Sequence, residues 1–382
     1  MEENTRHLIE TALPEKHTWP GRPTVADLAP LPGCPAVYLF VDDAGAPLQL
    51  LTTQQLKRAA ISRLSEPEQT RRGRVDLAEI ARGIRWRRVY SSFEARYGYY
   101  QLARLMLPGR YRKELSFGPA WFLHIDWTAR VPEPRVTEQI WRLPGDFIGP
   151  WPTRTACRQA LEGLWDLFDL CRHPVEVRKS PHGQACAYAD MGRCDAPCAD
   201  SAILGAYIER VRAALRFASG EIDSWIAGAG DSMRRAAGEQ QFELAGKLKS
   251  QLEFARLWKE RWGPIVRPDQ QLSYVLAVPA TRRKAWKLYL FRRGYLVEGP
   301  LLSRRKAPTE APAWLTEQLK RSPDEASDLL GNADSVNEIR MVQTWLVAHF
   351  LRHKESRDAV TARLEHDRPP ANLAEMLAEP DS

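Results

Sequence analysis

The alternation of apolar and polar positions sets out a series of short elements along the first third of the chain. Ala36–Val41 reads AVYLFV, a β-prone run, and Asp42-Asp43-Ala44-Gly45 after it is a turn signal. Residues 47–51 can return as the second strand of a hairpin. Thr53 then caps a predicted helix through Leu64, with Leu56, Ala60 and Leu64 spaced i, i+4, i+8 on one face. A second helix is expected over 75–82 and a strand over 85–90. A third helix, capped by Ser91 or Ser92, reaches 105 and stops before Pro108. A hairpin, a helix, a strand and another helix make a small α+β domain, with a further strand at 121–127.

Beyond it, residues 128–152 carry seven Pro and Gly and read as a linker over the surface. A helix is expected over 153–170, with Leu161, Leu164 and Phe168 on one face, followed by a cysteine-bearing segment at 171–198. Helices at 203–218, 222–238 and 241–262 precede strands at 272–278, 286–291 and 295–302. A Pro-punctuated stretch then leads to helices at 314–321 and 337–353. Residues 1–30 read as a loosely ordered lead-in, and the last fifteen as a frayed polar tail. The pattern as a whole is α+β, with no solenoid repeat.

Composition narrows the class. Of 382 residues, 44% are apolar and 27% charged, which excludes wholesale disorder. No run approaches the roughly 18 apolar residues of a membrane span, and the N-terminus has no apolar signal region, so a cytoplasmic setting with no membrane partner is expected. The chain carries +7 with a pI near 9.1, and 43 of its 55 basic residues are Arg. Guanidinium pairs phosphate bidentately, so an Arg-rich chain suits a polyanion. Residues 57–113 hold 15 basic and 5 acidic side chains, an excess of +10 that leaves the remainder at −3. Charge concentrated in one module is what a nucleic-acid footprint looks like, with Arg58, Arg63, Arg85, Arg87 and Arg88 as candidate DNA contacts.

Six cysteines are too few for a disulfide scaffold in so long a chain. Cys171, Cys186, Cys194 and Cys198 fall as C-x14-C-x7-C-x3-C, and the Pro and Gly between them let the loop wrap. Four thiolates within 28 residues can hold tetrahedral zinc or an iron–sulfur cluster, and His173 or His182 could replace one thiolate in a zinc site. Cys157 sits on a helical face and reads as core packing, and Cys34 stands alone. His124 and Asp126, two apart on the 121–127 strand, read as a satisfied histidine beside a surface carboxylate. Ala245, Leu248, Leu252 and Ala255 recur at steps of 3, 4 and 3 and form an apolar helical seam. That seam serves either a partner's helical hairpin or an intramolecular pair.

The run from Gln184 to Cys198, QACAYADMGRCDAPC, resembles the cysteine-rich segment of UvrC, the nuclease subunit of the bacterial excinuclease. Phe147-Ile148-Gly149-Pro150 and a helix into Cys171 match the FGP-type strand end and helix that precede it in that family. The resemblance implies that Cys171, Cys186, Cys194 and Cys198 hold a [4Fe–4S] cluster, favoured over zinc. Met233 with Ala236 and Ala237, then Phe242, Glu243, Ala245 and Leu248, is similar to the UVR motif of UvrB and UvrC. With Leu252 these residues are the implied surface for UvrB or another UVR-type hairpin, although Lys249-Ser250 stands where the family has Arg-Asp.

Residues 33–113 resemble a GIY-YIG nuclease domain. Ala36-Val37-Tyr38 matches the first motif, and Glu94 matches the metal-binding Glu that would take Mg²⁺ in an active member. The second motif is replaced by Gln49-Leu50-Leu51-Thr52-Thr53, and the helix Arg aligns with Ala59. Losing one preorganised donor costs on the order of 10²–10³ in rate, so Tyr38 and Glu94 read as remnants of a catalytic set.

The expected organisation is a lead-in (1–30), a degenerate GIY-YIG-like domain (31–127), a linker with the FGP-type strand (128–152) and a cysteine-rich metal module (153–200). A helical UVR-type hairpin segment (201–263) and a C-terminal α+β part (264–382) follow. No acidic triad of a second nuclease is seen in 303–382. The implied role is nucleotide excision repair, binding DNA or the UvrA–UvrB machinery, or both, with an impaired nuclease site. An active metal-dependent endonuclease and a non-repair interaction protein are the alternatives.

Overall fold

In the computed structural model, residues 3–65, 76–108, 110–115, 118–140, 143–192, 194–280, 284–323, 336–353, 357–365 and 368–378 are described. Of the positions singled out above, residue 75, Arg193 and the basic residues Arg71, Arg72 and Arg74 lie outside them.

The expected lead-in is structured. Helix α1 (Glu3–Ala12) buries Ile9, with Leu13 just past its end, and β1 (Glu15–Thr18) pairs with β4 (Gly83–Arg88). Its sequence EKHT has no apolar alternation because it is an exposed edge strand, held by backbone bonds. With β2 (Ala36–Val41) and β3 (Pro47–Thr53) it completes an antiparallel sheet of order β1-β4-β2-β3. Alternation on β2 sends Ala36, Tyr38 and Phe40 to one face, against α2 (Leu56–Ser65) and α3 (Leu77–Ile80). Val37, Leu39 and Val41 go to the other, against α1 and α4 (Ser92–Met106). The expected 75–82 helix shortens to α3, because Asp76 caps Ala78 and Ala81 is already extended. After α4 comes α5 (Tyr111–Glu114).

Besides the expected FGP-type strand, the expected surface linker contributes a further strand at residues 135–137. Strands β5 (Trp121–Ile125), β6 (Arg135–Thr137) and β7 (Asp146–Trp151) form an antiparallel unit of order β6-β5-β7-β8, closed by β8 (Arg267–Pro268) from far along the chain. Its Pro and Gly occupy the turns and the buried end of β7. A Cβ on Gly149 would come within 2.5 Å of the Phe122 ring, so β7 needs glycine there to pack on β5. Helix α6 (Arg154–Leu167) starts at a Thr153 cap and lays Cys157, Ala160, Leu161 and Leu164 into the core of this unit. Two short helices, α7 (Pro174–Arg178) and α8 (Ala187–Asp190), interrupt the cysteine segment. Three long ones follow: α9 (Ser201–Ser219), α10 (Ile222–Gly238) and α11 (Phe242–Arg261).

A third antiparallel sheet, order β11-β10-β9-β12, contains β9 (Ser273–Ala280), β10 (Ala285–Arg292), β11 (Tyr295–Ser303) and β12 (Val360–Arg363). One face packs α12 (Ala307–Leu319) and α14 (Leu373–Ala378); the other packs α13 (Val336–Arg352). Helix α12 begins seven residues before the expected start, running through Pro308 and Pro312. Pro308 lies in the first turn, where no backbone donor is needed. Burial of Ala307, Ala311 and Leu315 on the sheet outweighs the one bond that Pro312 removes. The expected frayed tail includes α14, which buries Leu373 and Leu377.

The units share a core. Phe93, Tyr97 and Tyr100 of α4 meet Phe122 and Phe147, then Tyr289 and Phe291 of β10 and Met341, Leu346 and Phe350 of α13. The Tyr97 hydroxyl donates to the Leu296 carbonyl at 2.7 Å, across 199 residues of sequence. Among the described residues no helix is long and apolar enough to cross a membrane.

Candidate functional site

The four clustered cysteines sit on the loop between α6 and α9. Phe168 ends α6, and Asp169, with φ of 47°, turns the chain into Cys171. At the far end the Asp200 carboxylate accepts from the Ala202 amide at 2.8 Å and caps α9. Between these anchors the loop folds onto itself. The Gly183 amide donates to the Cys198 carbonyl at 2.9 Å, and a Cβ on Gly183 would lie 2.3 Å from the Glu176 carbonyl. Only glycine permits that approach.

Cys171 and Cys198 are buried, Cys186 and Cys194 half-buried, and all four are free thiols. Backbone amides point at two of the sulfurs: His173 N–H donates to Cys171 Sγ at 3.3 Å, and that of Ala196 reaches Cys194. Ala196 adopts φ of 51°. Burial pushes the Cys171 thiol up to about 11, and the charges of Cys194, Cys198 and Cys186 press the same way. Cys194 is likewise raised, first by burial. The thiols are therefore close enough to resist each other's ionisation, which a cation among them would reverse. Cys171, Cys186 and Cys194 face a cleft of about 490 Å³, walled by Trp165, Tyr188 and Lys247. Among the described residues no three His, Cys, Asp or Glu side chains are drawn together at metal-ligand spacing. The sulfurs flank the cleft without closing on one point. His173 brings its amide to the site.

Tyr38 and Glu94 are not brought together. Tyr38 is 2% exposed in the α2-side core, its ring edge-on to Phe40 at 5.5 Å, and burial raises its hydroxyl. Glu94 belongs to α4 on the opposite face of the sheet. The Ser91 hydroxyl accepts from the Glu94 amide at 3.0 Å, and Glu94 Oε2 accepts from the Tyr90 amide at 2.7 Å. This is a close variant of the capping box, and its Ser-x-x-Glu spacing at 91–94 is legible in the sequence. Burial raises the Glu94 carboxyl; the Tyr90 amide and the cations Lys287 and Arg87 oppose that, while Glu298 adds to it. Those groups form a cluster across the α4–sheet boundary, with Lys287 2.8 Å and Arg87 3.5 Å from Glu298. Sequence reasoning did not find this cluster, because its members lie 200 residues apart.

The five candidate arginines divide between surfaces. Arg58 and Arg63 are exposed on α2. Arg85 is held by Glu10 at 2.6 Å and Arg87 by Glu298. Arg88 is exposed and bonds Cys34. The helical seam divides too. Leu252 and Ala255 are buried, in line with an intramolecular pair, while Ala245 and Leu248 are half-buried. Glu243 is exposed at the tip and Phe242 is 72% exposed. Lys247 reaches Asp169 at 3.2 Å and ties the hairpin to the cysteine cleft. His124 Nε2 is 2.8 Å from the Pro144 carbonyl, and Asp126, its carboxyl lowered by the Thr128 hydroxyl, caps a turn. Both behave as satisfied structural groups.

The model for the UvrC/Cho excinuclease middle domain matches residues 120–217, which span β5 to α9 and include all four cysteines. The UvrABC system protein C of Stenotrophomonas maltophilia (strain K279a) is 32% identical over 121 residues, 31% of this chain and 19% of that protein. That of Saccharopolyspora erythraea is 27% identical over 237 residues, 60% of this chain and 32% of the relative. The chain therefore spans between a fifth and a third of the length of these relatives. No solved structure matches it. The cysteine loop, the helix leading into it and strands β5, β6 and β7 of the sheet beneath lie within the matched domain, and the chain is a UvrC-like protein.

Proposed function

We propose that the protein acts in nucleotide excision repair by binding DNA and the UvrA–UvrB components, without cutting at the Tyr38 and Glu94 positions. The observation that carries this reading is the loop of four free thiols within the UvrC/Cho-type middle domain, set beside a hairpin with an exposed tip. Cys171, Cys186, Cys194 and Cys198 would hold a [4Fe–4S] cluster, and four soft sulfur donors with two inward amides suit it. Zinc is the alternative for the same donors. When bound, the group supplies four thiolate bonds that cross-link the loop. The chain's own part is to anchor that loop: α6 and α9 fix its ends, Gly183 allows it to double back, and Lys247 holds α11 against it.

The sealed position of Glu94 supports the loss of nuclease action. An active Mg²⁺-dependent endonuclease would need that carboxylate at a scissile phosphate, whereas here it caps α4 at 3% exposure. The order of hairpin and helices supports a GIY-YIG-like ancestry. The exposed Phe242 favours UvrB or another UVR-type hairpin as partner, and equally a partner outside repair.

Anaerobic purification with iron, sulfide and zinc analysis tests the first part. Iron and sulfide in equal amounts, with broad absorbance near ~400 nm, are expected for a four-thiolate cluster. Zinc without sulfide would replace the cluster with a zinc module. Absence of DNA binding and of UvrB capture would overturn the repair role in favour of a non-repair partner. Incision of damaged duplex that Glu94→Gln abolishes would establish the endonuclease instead.

A further inference from the structure

A second basic cleft is built from residues outside the 57–113 module. The segment after α11, the edge strand β12 and the turn before α14 enclose an open cleft of about 840 Å³. Arg267, Arg363 and Arg368 line it, and among the described residues Glu365 is their only acidic counterpart in the lining. Glu365 is 3.8 Å from Arg363 with its side chain 78% exposed, a loose pair in water. Tyr274 of β9 stands directly opposite Arg363 of β12 in the register, so the two side chains emerge on one face of the sheet. The Tyr274 ring is stacked on Phe291 at 6.4 Å and the residue is 7% exposed. Its hydroxyl, buried in the cleft wall, has no hydrogen-bond partner among the described residues.

A buried hydroxyl without a partner is unfavourable, and among the described residues nothing uses this donor. Arg267 shares the cleft lining with it. Burial lowers its pKa; Tyr274 opposes that and the like charge of Arg363 adds to it. Arg267 donates to the Val266 carbonyl at 2.6 Å and lies against Gly220 at the end of α9, so part of its role is structural. The lining thus carries three arginines and the Tyr274 hydroxyl, and among the described residues one carboxylate, the exposed Glu365. An anion with several acceptor oxygens matches the charge of this lining.

We infer that the Arg267–Tyr274–Arg363–Arg368 cleft is a phosphate-binding site for the DNA backbone. This rests on the DNA-binding reading above, and adds a contact surface on the C-terminal sheet, remote from Arg58 and Arg63. The open cleft, in which Tyr274 is the one aromatic among the described lining residues, suits sequence-independent backbone contact.

The test is fluorescence anisotropy of the full chain with a 5′-labelled duplex and the matching single strand, between 50 and 200 mM salt. The variants are Arg363→Gln/Arg368→Gln, Tyr274→Phe and, as comparison, Arg58→Gln/Arg63→Gln. Each duplex phosphate contact contributes about 0.9 to the salt slope, so losing two lowers it by about 1.8. Wild-type affinity would then fall about 12-fold more than that of the Arg363→Gln/Arg368→Gln variant over this range. Tyr274→Phe, which keeps the ring stack, should weaken binding several-fold with an unchanged melting profile. The arm that loses affinity, duplex or single strand, identifies the source of the phosphate. If both C-terminal variants bind as wild type while Arg58→Gln/Arg63→Gln binds weakly, the cleft is overturned and the DNA reading stands. If wild type binds neither probe, both fall.

Discussion

Replacing Glu94 separates a structural carboxylate from a catalytic one. Its Oε2 accepts the Tyr90 amide at 2.7 Å in a site 3% exposed, so Glu94→Ala leaves a largely enclosed N–H without an acceptor. That loss should cost about 1–3 kcal/mol of unfolding free energy. Glu94→Gln keeps an acceptor oxygen and removes the charge that burial disfavours, so it should stay within about 1 kcal/mol of wild type near pH 7. The two also differ in pH dependence. Because the folded carboxyl is raised, the folded state holds its proton where the unfolded chain has released it. Wild-type stability is therefore greatest relative to Glu94→Gln below the ordinary glutamate value near 4.3, and declines as pH rises through the raised folded value. Urea unfolding followed by Trp fluorescence at a series of pH values from 4 to 8 measures both effects. A wild-type minus Glu94→Gln difference that is flat with pH, or a Glu94→Ala protein as stable as wild type, would refute the reasoning.

Further outcomes follow from other contacts. Gly183→Ala should destabilise the cysteine loop by about 1–3 kcal/mol, since its Cβ would lie 2.3 Å from the Glu176 carbonyl; urea curves and loss of bound metal would report it. Cys198→Ser should lower bound iron or zinc, measured by metal analysis, whereas Cys157→Ser should not, because Cys157 lies in the α6 core. Leu377→Ala should cost about 2–5 kcal/mol in urea unfolding, despite its place five residues from Ser382. Lys247→Ala should change stability by less than about 1 kcal/mol, its bond to Asp169 joining two exposed side chains.

What could be read beforehand followed local rules. Strand β2, its turn and β3 announced themselves by an apolar run and an Asp-Asp-Ala-Gly signal, and α11 by the seam of Ala245, Leu248, Leu252 and Ala255. Elements completed from afar were not legible. Strand β1 has the polar sequence EKHT because its partner β4 supplies the ladder, and β8 has only two residues because β7 does. Pro-rich 128–152 and 307–313 looked like loop because a proline's cost is local while the burial that offsets it is tertiary. At the site, the cysteine spacing was visible and the capping role of Glu94 was available in Ser-x-x-Glu. The ion cluster around Glu298 was beyond reach, since nothing near residue 94 indicates what residues 287 and 298 will bring.

The bond from Tyr97 to Leu296 also has a meaning in time. A ribosome adding roughly 5–20 residues per second needs about 10–40 s to make the 199 residues between the two. Through that interval α4 has emerged with Phe93, Tyr97 and Tyr100 and without the β10 and α13 surfaces that cover them. The nascent protein thus carries an adhesive aromatic stripe until β10 and α13 have been made. Its yield in a cell should depend on how well that stripe is shielded during translation.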